Sequence, residues 1–220
     1  QLRYPYKGLA TTTNQCPAES PQVTKTTDDL KRYIQYGNND EALRILRHSA
    51  ESVNMLRLLN EKDILLERTV LHHVCWNGRI ETVELLINHA ITLGVNLDQL
   101  DKNNETPLFL AYDRRHERIA KLLVESGASV DITTKYRDSI FNKAFQRNDI
   151  SFVTWLFEHM SDHNLQTVLE DLAERQPEEL KDIFLFVLKN NRTLAKRMLL
   201  ATKFNPIFFS IMEEKIKELN

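Results

Sequence analysis

Between residues 106 and 157 the chain repeats itself. Leu108 and Phe141, Ala111 and Ala144, Leu122 and Trp155, and Leu123 and Leu156 are four apolar pairs, each 33 residues apart. The first copy, TPLFLAYDRRHERIAKLLVESGASVD from Thr106 to Asp131, opens with Thr-Pro, which fixes φ at a first helical turn. A short apolar helix follows, a polar break interrupts it, and a second helix with a Leu-Leu pair ends at Ser-Gly. A helix-turn-helix unit this small cannot bury its own apolar face, so its copies must stack on one another.

A further copy lies upstream. Thr106-Pro107-Leu108 overlays Thr69-Val70-Leu71 at an offset of 37, and Leu122-Leu123 overlays Leu85-Leu86 at the same offset. The four extra residues are expected in the His89 to Leu97 connection. The segment resembles ankyrin repeats, whose period is about 33 residues with a Thr-Pro-Leu-His start. The second repeat keeps Thr69, Leu71, His72, Gly78, Glu81, Val83, Leu85 and Leu86, and the third keeps Thr106, Pro107, Leu108, Ala111, Leu122, Leu123, Gly127, Ala128, Val130 and Asp131. The fourth is degenerate, with Ser139-Ile140-Phe141 at its opening and Trp155 at a Leu position. The fold expected is an all-α ankyrin-repeat solenoid of helix-turn-helix units with a helical C-terminal cap.

The rest of the chain follows from that register. Residues 1–26, rich in Thr, Ser, Pro and Gln, are expected to be extended or disordered. Residues 27–160 are expected to hold about four repeats, the first and fourth degenerate. In the first, Thr27 begins a helix reaching about Tyr36, a turn covers Gly37 to Asp40, and Glu41 to His48 form a second helix, with Leu30, Ile34, Leu43 and Leu46 inward. Ser49 to Leu66 exceeds a standard connection, and two readings stand: an extra helical turn on Met55 to Leu59, or an ordered loop. Residues 161–220 are expected to be a diverged repeat and cap. Asn164 to Arg175 and Pro177 to Lys189 read as its helices, with Arg192 to Ala201 and Pro206 to Leu219 closing the stack.

The 220 residues are 42% hydrophobic, enough for a continuous core, and the net charge of −2 provides no overall field for nucleic acid or an anionic membrane. No run of about 18 apolar residues and no secretory signal pattern is present, and Cys16 and Cys75 lie in unlike contexts. A monomer of the reducing cytoplasm, without nucleic-acid or membrane partners, is expected. The start at Gln1 rather than Met suggests a processed product or a piece of something longer.

Chemistry is scarce. His72, His73 and Cys75 lie close in sequence, but His72 occupies the His of the ankyrin opening and Cys75 falls where small residues pack. The two cysteines are 59 positions apart and the seven histidines scattered, so no metal or cofactor is expected, and carboxylates such as Glu170-Asp171 read as solvated helix faces. No catalytic residue is assigned.

The resemblance implies that first-helix ends and projecting turns line a concave surface that holds partner proteins. By register this surface carries Tyr36 beside Gln35, Trp76, Asn77, Asp113, Arg114, Gln146 and Arg147, with projecting turns at Asp98 to Glu105 and Thr133 to Asp138, the latter bearing Lys135 and Tyr136. Trp76 is either an exposed anchor or folds down onto the first repeat or the long insertion. The function expected is binding of another protein. The alternative is a targeting or substrate-recruiting segment of a larger enzyme, and the Asn, Lys and Ile richness also resembles ankyrin proteins that intracellular bacteria deliver into host cells.

Overall fold

The same start and stop signals recur along the chain, and they cut it into short helices. The computed structural model describes residues 27–48, 53–201, 206 and 210. Its helices are, in order, α1 (Thr27–Gln35), α2 (Asn39–His48), α3 (Met55–Asn60), α4 (Val70–Asn77), α5 (Ile80–Leu93), α6 (Pro107–Asp113), α7 (Glu117–Glu125), α8 (Ile140–Gln146), α9 (Ile150–His159), α10 (Asp162–Arg175), α11 (Pro177–Asn190) and α12 (Arg192–Ala201). No strand occurs among the described residues. Residues 1–26 and the helix expected over Pro206 to Leu219, with Ile207, Phe208, Ile211, Met212, Lys215 and Leu219, lie outside them except for Pro206 and Ser210.

The third and fourth repeats open on a hydroxyl cap. Thr106 accepts a hydrogen bond from the Phe109 amide ahead of Pro107, and Ser139 accepts one from the Asn142 amide, so the degenerate fourth opening keeps its chemistry. The turn between paired helices requires one residue in the left-handed region. Gly37 and Gly78 supply it in the first two pairs, whereas Arg115 and Asn148 adopt φ of 67° and 52° in the next two.

First helices pack on first helices, in the order α1, α4, α6, α8, and second helices on second helices, in the order α2, α5, α7, α9. One core runs between the rows from Leu30 to Met198. α11 packs on α9 and α12 on both α10 and α11, which carries the packing past the fourth pair. Ala173 and Phe184, 11 residues apart as Ala111 and Leu122 are, are both buried.

Three details depart from the sequence reading or decide it. α2 starts at Asn39, so its inward face carries Ala42, Ile45 and Leu46, and Leu43 is only half-buried rather than inward. The four extra residues after Leu86 lengthen α5 by about a turn, to Leu93, instead of forming a loop. In the long insertion the helical reading holds: α3 buries Met55, Leu58 and Leu59 against α1, α4 and α5 while Leu56 stays exposed.

Candidate protein-binding surface

Ahead of each of α4, α6 and α8 the backbone doubles back in a hairpin-like finger. Asp63 N–H donates to the Arg68 carbonyl at 2.8 Å, Asp101 N–H to Glu105 at 3.1 Å and Thr134 N–H to Asp138 at 2.9 Å. A side-chain oxygen closes every turn: Asp63 accepts from the Leu65 and Leu66 amides, Asp101 from Asn103 and Glu105, and Thr134 from Tyr136 and Asp138. Neighbouring fingers are then joined, Lys102 N–H to the Leu66 carbonyl at 2.9 Å and Lys135 N–H to Asn103 at 2.8 Å. The fingers lie along the first helices, tied to them by Asp63 to His73 of α4 and by Asp138 to Lys143 of α8.

Beneath the fingers lies a buried ion cluster. Arg68, 4% exposed in its side chain, reaches Asp101 and Glu105 at 3.0 Å each. Two carboxylates around one guanidinium leave Glu105 raised above the usual carboxylate range, first by burial and then by the Asp101 charge. Asp63 moves down: burial works to raise it, but the Leu66 amide, His73 and the Leu65 amide together outweigh that. His72 sits alongside. Its Nδ1 accepts from the Thr69 amide at 3.1 Å and lies 2.8 Å from the Thr69 hydroxyl, which leaves Nε2–H to donate to the Glu105 carbonyl at 3.1 Å. Burial pushes this imidazole down to about 4, so it is neutral at pH 7. Cys75 is fully buried and held protonated by that burial. Neither is placed to act on a substrate: His72 is consumed in tying one repeat's opening to the next finger, and Cys75 is packing.

The residues expected on the concave face separate into two groups. Tyr36 is 73% exposed, Tyr136 is 72% exposed, Lys135 and Gln146 are exposed, and Asn77 is half-buried. The others, the exposed Arg114 among them, touch a neighbouring repeat. Trp76 is half-buried, with the Arg114 guanidinium of the third repeat 3.3 Å from its ring centroid and that of Arg68 of the second at 4.7 Å. Arg147 donates to the carbonyls of Tyr112 and Asp113 and covers the Tyr112 ring, which caps the C-terminal end of α6 from the next repeat. His116 does the same for α4 through the Trp76 carbonyl at 3.2 Å. Asp113 meets Lys143 at 3.4 Å and Arg147 at 3.6 Å.

Two exposed residues escaped the sequence reading. Ile64 is 98% and Leu65 72% exposed at the tip of the second repeat's finger, within the segment that had been read only as insertion. The offset of 37, extended one finger back, lays Leu65 to Arg68 on Lys102 to Glu105 and is the signal for this tip. Asp171, by contrast, pairs with Arg175 on an exposed helix face, as its spacing implied.

Paired helices stacked in two rows, with joined fingers along one of them, define an all-α repeat protein. Residues 30–134 match the family of ankyrin repeats in three copies, so this part of the chain is an ankyrin-repeat segment. It is 31% identical to Protein lin-12 of Caenorhabditis elegans over 110 residues, 48% of this chain and 7% of the relative's length. It is 25% identical over 171 residues to a putative ankyrin repeat protein of Borreliella burgdorferi, covering 71% of this chain and 78% of that one. Ankyrin repeats are generally protein-protein interaction modules rather than catalysts. No helix among the described residues is long and apolar enough to cross a membrane, and no group of three metal-ligating side chains occurs among them.

Proposed function

We propose that this chain binds another protein on the face formed by the first-helix ends and the fingers, and performs no chemistry itself. The observation that carries the reading is the set of exposed side chains, Tyr36, Lys135, Tyr136 and Gln146, held on a rigid repeat scaffold whose packing does not use them. Asn77, Asp113 and the solvent edges of Trp76, Arg114 and Arg147 extend that face. The fourth pair and the helices after it act as further repeats and a closing cap, and the molecule works as a cytoplasmic monomer.

The second reading is a recruiting segment of a larger protein, an enzyme or a bacterial effector. It is favoured by one fact, that the segment matched in Protein lin-12 is 7% of that relative's length, so such repeats also occur as one part of a much longer chain.

Affinity capture compared between the wild type and the Tyr36→Ala/Gln146→Glu variant tests the binding face. A protein recovered with the wild type should be lost with the variant while the melting midpoint stays within about a degree. Equal recovery by both would overturn this face as the binding site.

A further inference from the structure

The three finger tips form a surface whose composition differs from the rest of the chain. Ile64 and Leu65 stand at one end and Tyr136 at the other, all at least 72% exposed. Cations lie among them: within the tip turns 64–67, 102–104 and 135–137 the charged residues are Lys102, Lys135 and Arg137 against Glu67, a local excess of positive charge in a chain of net charge −2. The Lys102 ammonium donates to the Leu65 carbonyl at 2.7 Å, which sets a cation against the apolar tip. Backbone bonds from finger to finger hold these elements in register. Successive fingers follow the spacing of the packed first helices, about 8–10 Å. The apolar ends are therefore about 16–20 Å apart, the reach of about five or six extended residues.

We infer that the finger tips bind an extended acidic segment of a partner protein that carries apolar side chains about six residues apart, with acidic residues between them. This rests on the protein-binding reading and deepens it. Large apolar side chains at both ends supply the buried contact, and the cations between them select a negatively charged backbone segment over a positive one.

The probe is a fluorescein-labelled peptide with two leucines six positions apart and glutamates between, titrated by anisotropy against the protein. A control peptide carries lysines in place of the glutamates. Saturable binding of the acidic peptide is expected, weakening with added salt. Ile64→Ser/Leu65→Ser and Lys102→Glu/Lys135→Glu should each weaken it at least tenfold, and the second, which turns the tips net negative, should reverse the salt dependence. No binding at millimolar protein, equal binding of the lysine peptide, or insensitivity to both variants would overturn the inference. If the peptide binds but responds only to Tyr36→Ala/Gln146→Glu, the helix-end face survives and the finger tips do not. Sedimentation of the protein with phosphatidylserine vesicles, or a concentration-dependent dimer, lost in Ile64→Ser/Leu65→Ser, would assign the surface to lipid or to a second copy and likewise overturn it.

Discussion

Arg115 and Gly78 occupy the same place in successive repeats, and substitution should act on them with opposite sign. Arg115 is exposed and held at φ 67°, a region that is strained for any residue with a Cβ. Arg115→Gly should stabilise the protein by about 1 kcal/mol, reduced somewhat by the greater freedom of the unfolded chain, and raise the thermal midpoint by roughly 2–4 °C. Gly78 has φ 72°, and a Cβ there would lie 2.4 Å from the His116 ring, which also bonds to the Trp76 carbonyl. Gly78→Ala should lower the midpoint in the same measurement. Trp76 was read from the sequence as either an anchor or core, and its contacts with Arg68 and Arg114 make it a joint between repeats. Arg68 itself matters more, because Arg68→Ala leaves Asp101 and Glu105 buried together without their cation. That loss should be about 3–5 kcal/mol by urea unfolding at pH 7, and smaller as pH falls, because burial beside Asp101 already raises Glu105 above the usual carboxylate range.

At the scale of single elements, α3 and the opening of α4 are the places where a local sequence acquired a tertiary task. Leu58 is fully buried and Leu56 exposed on the same six-residue helix. Leu58→Ala should destabilise by about 2–5 kcal/mol and Leu56→Ala by almost nothing in paired denaturant curves. The opening of α4 depends on a neutral His72. Its pKa is about 4 when folded against 6.5 as the ordinary value, so between those limits only the unfolded chain takes up the proton. The stabilisation present above pH 6.5 is therefore lost as pH falls toward 4, up to about 3 kcal/mol. His73, lowered chiefly by burial, acts in the same direction, and so does Asp63, while the raised Glu105 opposes them by favouring acid. Stability measured by guanidinium unfolding should fall from pH 7 to 4.5, and His72→Gln should flatten that slope.

For the whole molecule, stability is a matter of neighbours, since every helix pair is buried by the pairs on either side. α11 covers α9, whose Phe152, Val153, Leu156 and Phe157 are all fully buried, and Arg197 of α12 reaches back to the carbonyls of Phe157, Glu158 and Met160. A chain ended at His159 should bind a hydrophobic dye and sediment as aggregates, whereas the full chain should not; a soluble, dye-free truncation would show that the fourth pair closes the stack without help. The sequence by itself determined the repeat, its register and the capped openings at Thr69, Thr106 and Ser139, because helical period, hydroxyl caps and turn glycines act within a few residues of one another. It also marked the exposed tips at Lys135 and Tyr136 by that register. Only the tertiary structure decided that Arg147 and Trp76 serve joints between repeats and that α5 takes up the extra residues as helix. Those outcomes depend on which carbonyl, ring or core face the neighbouring repeat presents, a contact between residues 34 to 40 positions apart that no local pattern encodes.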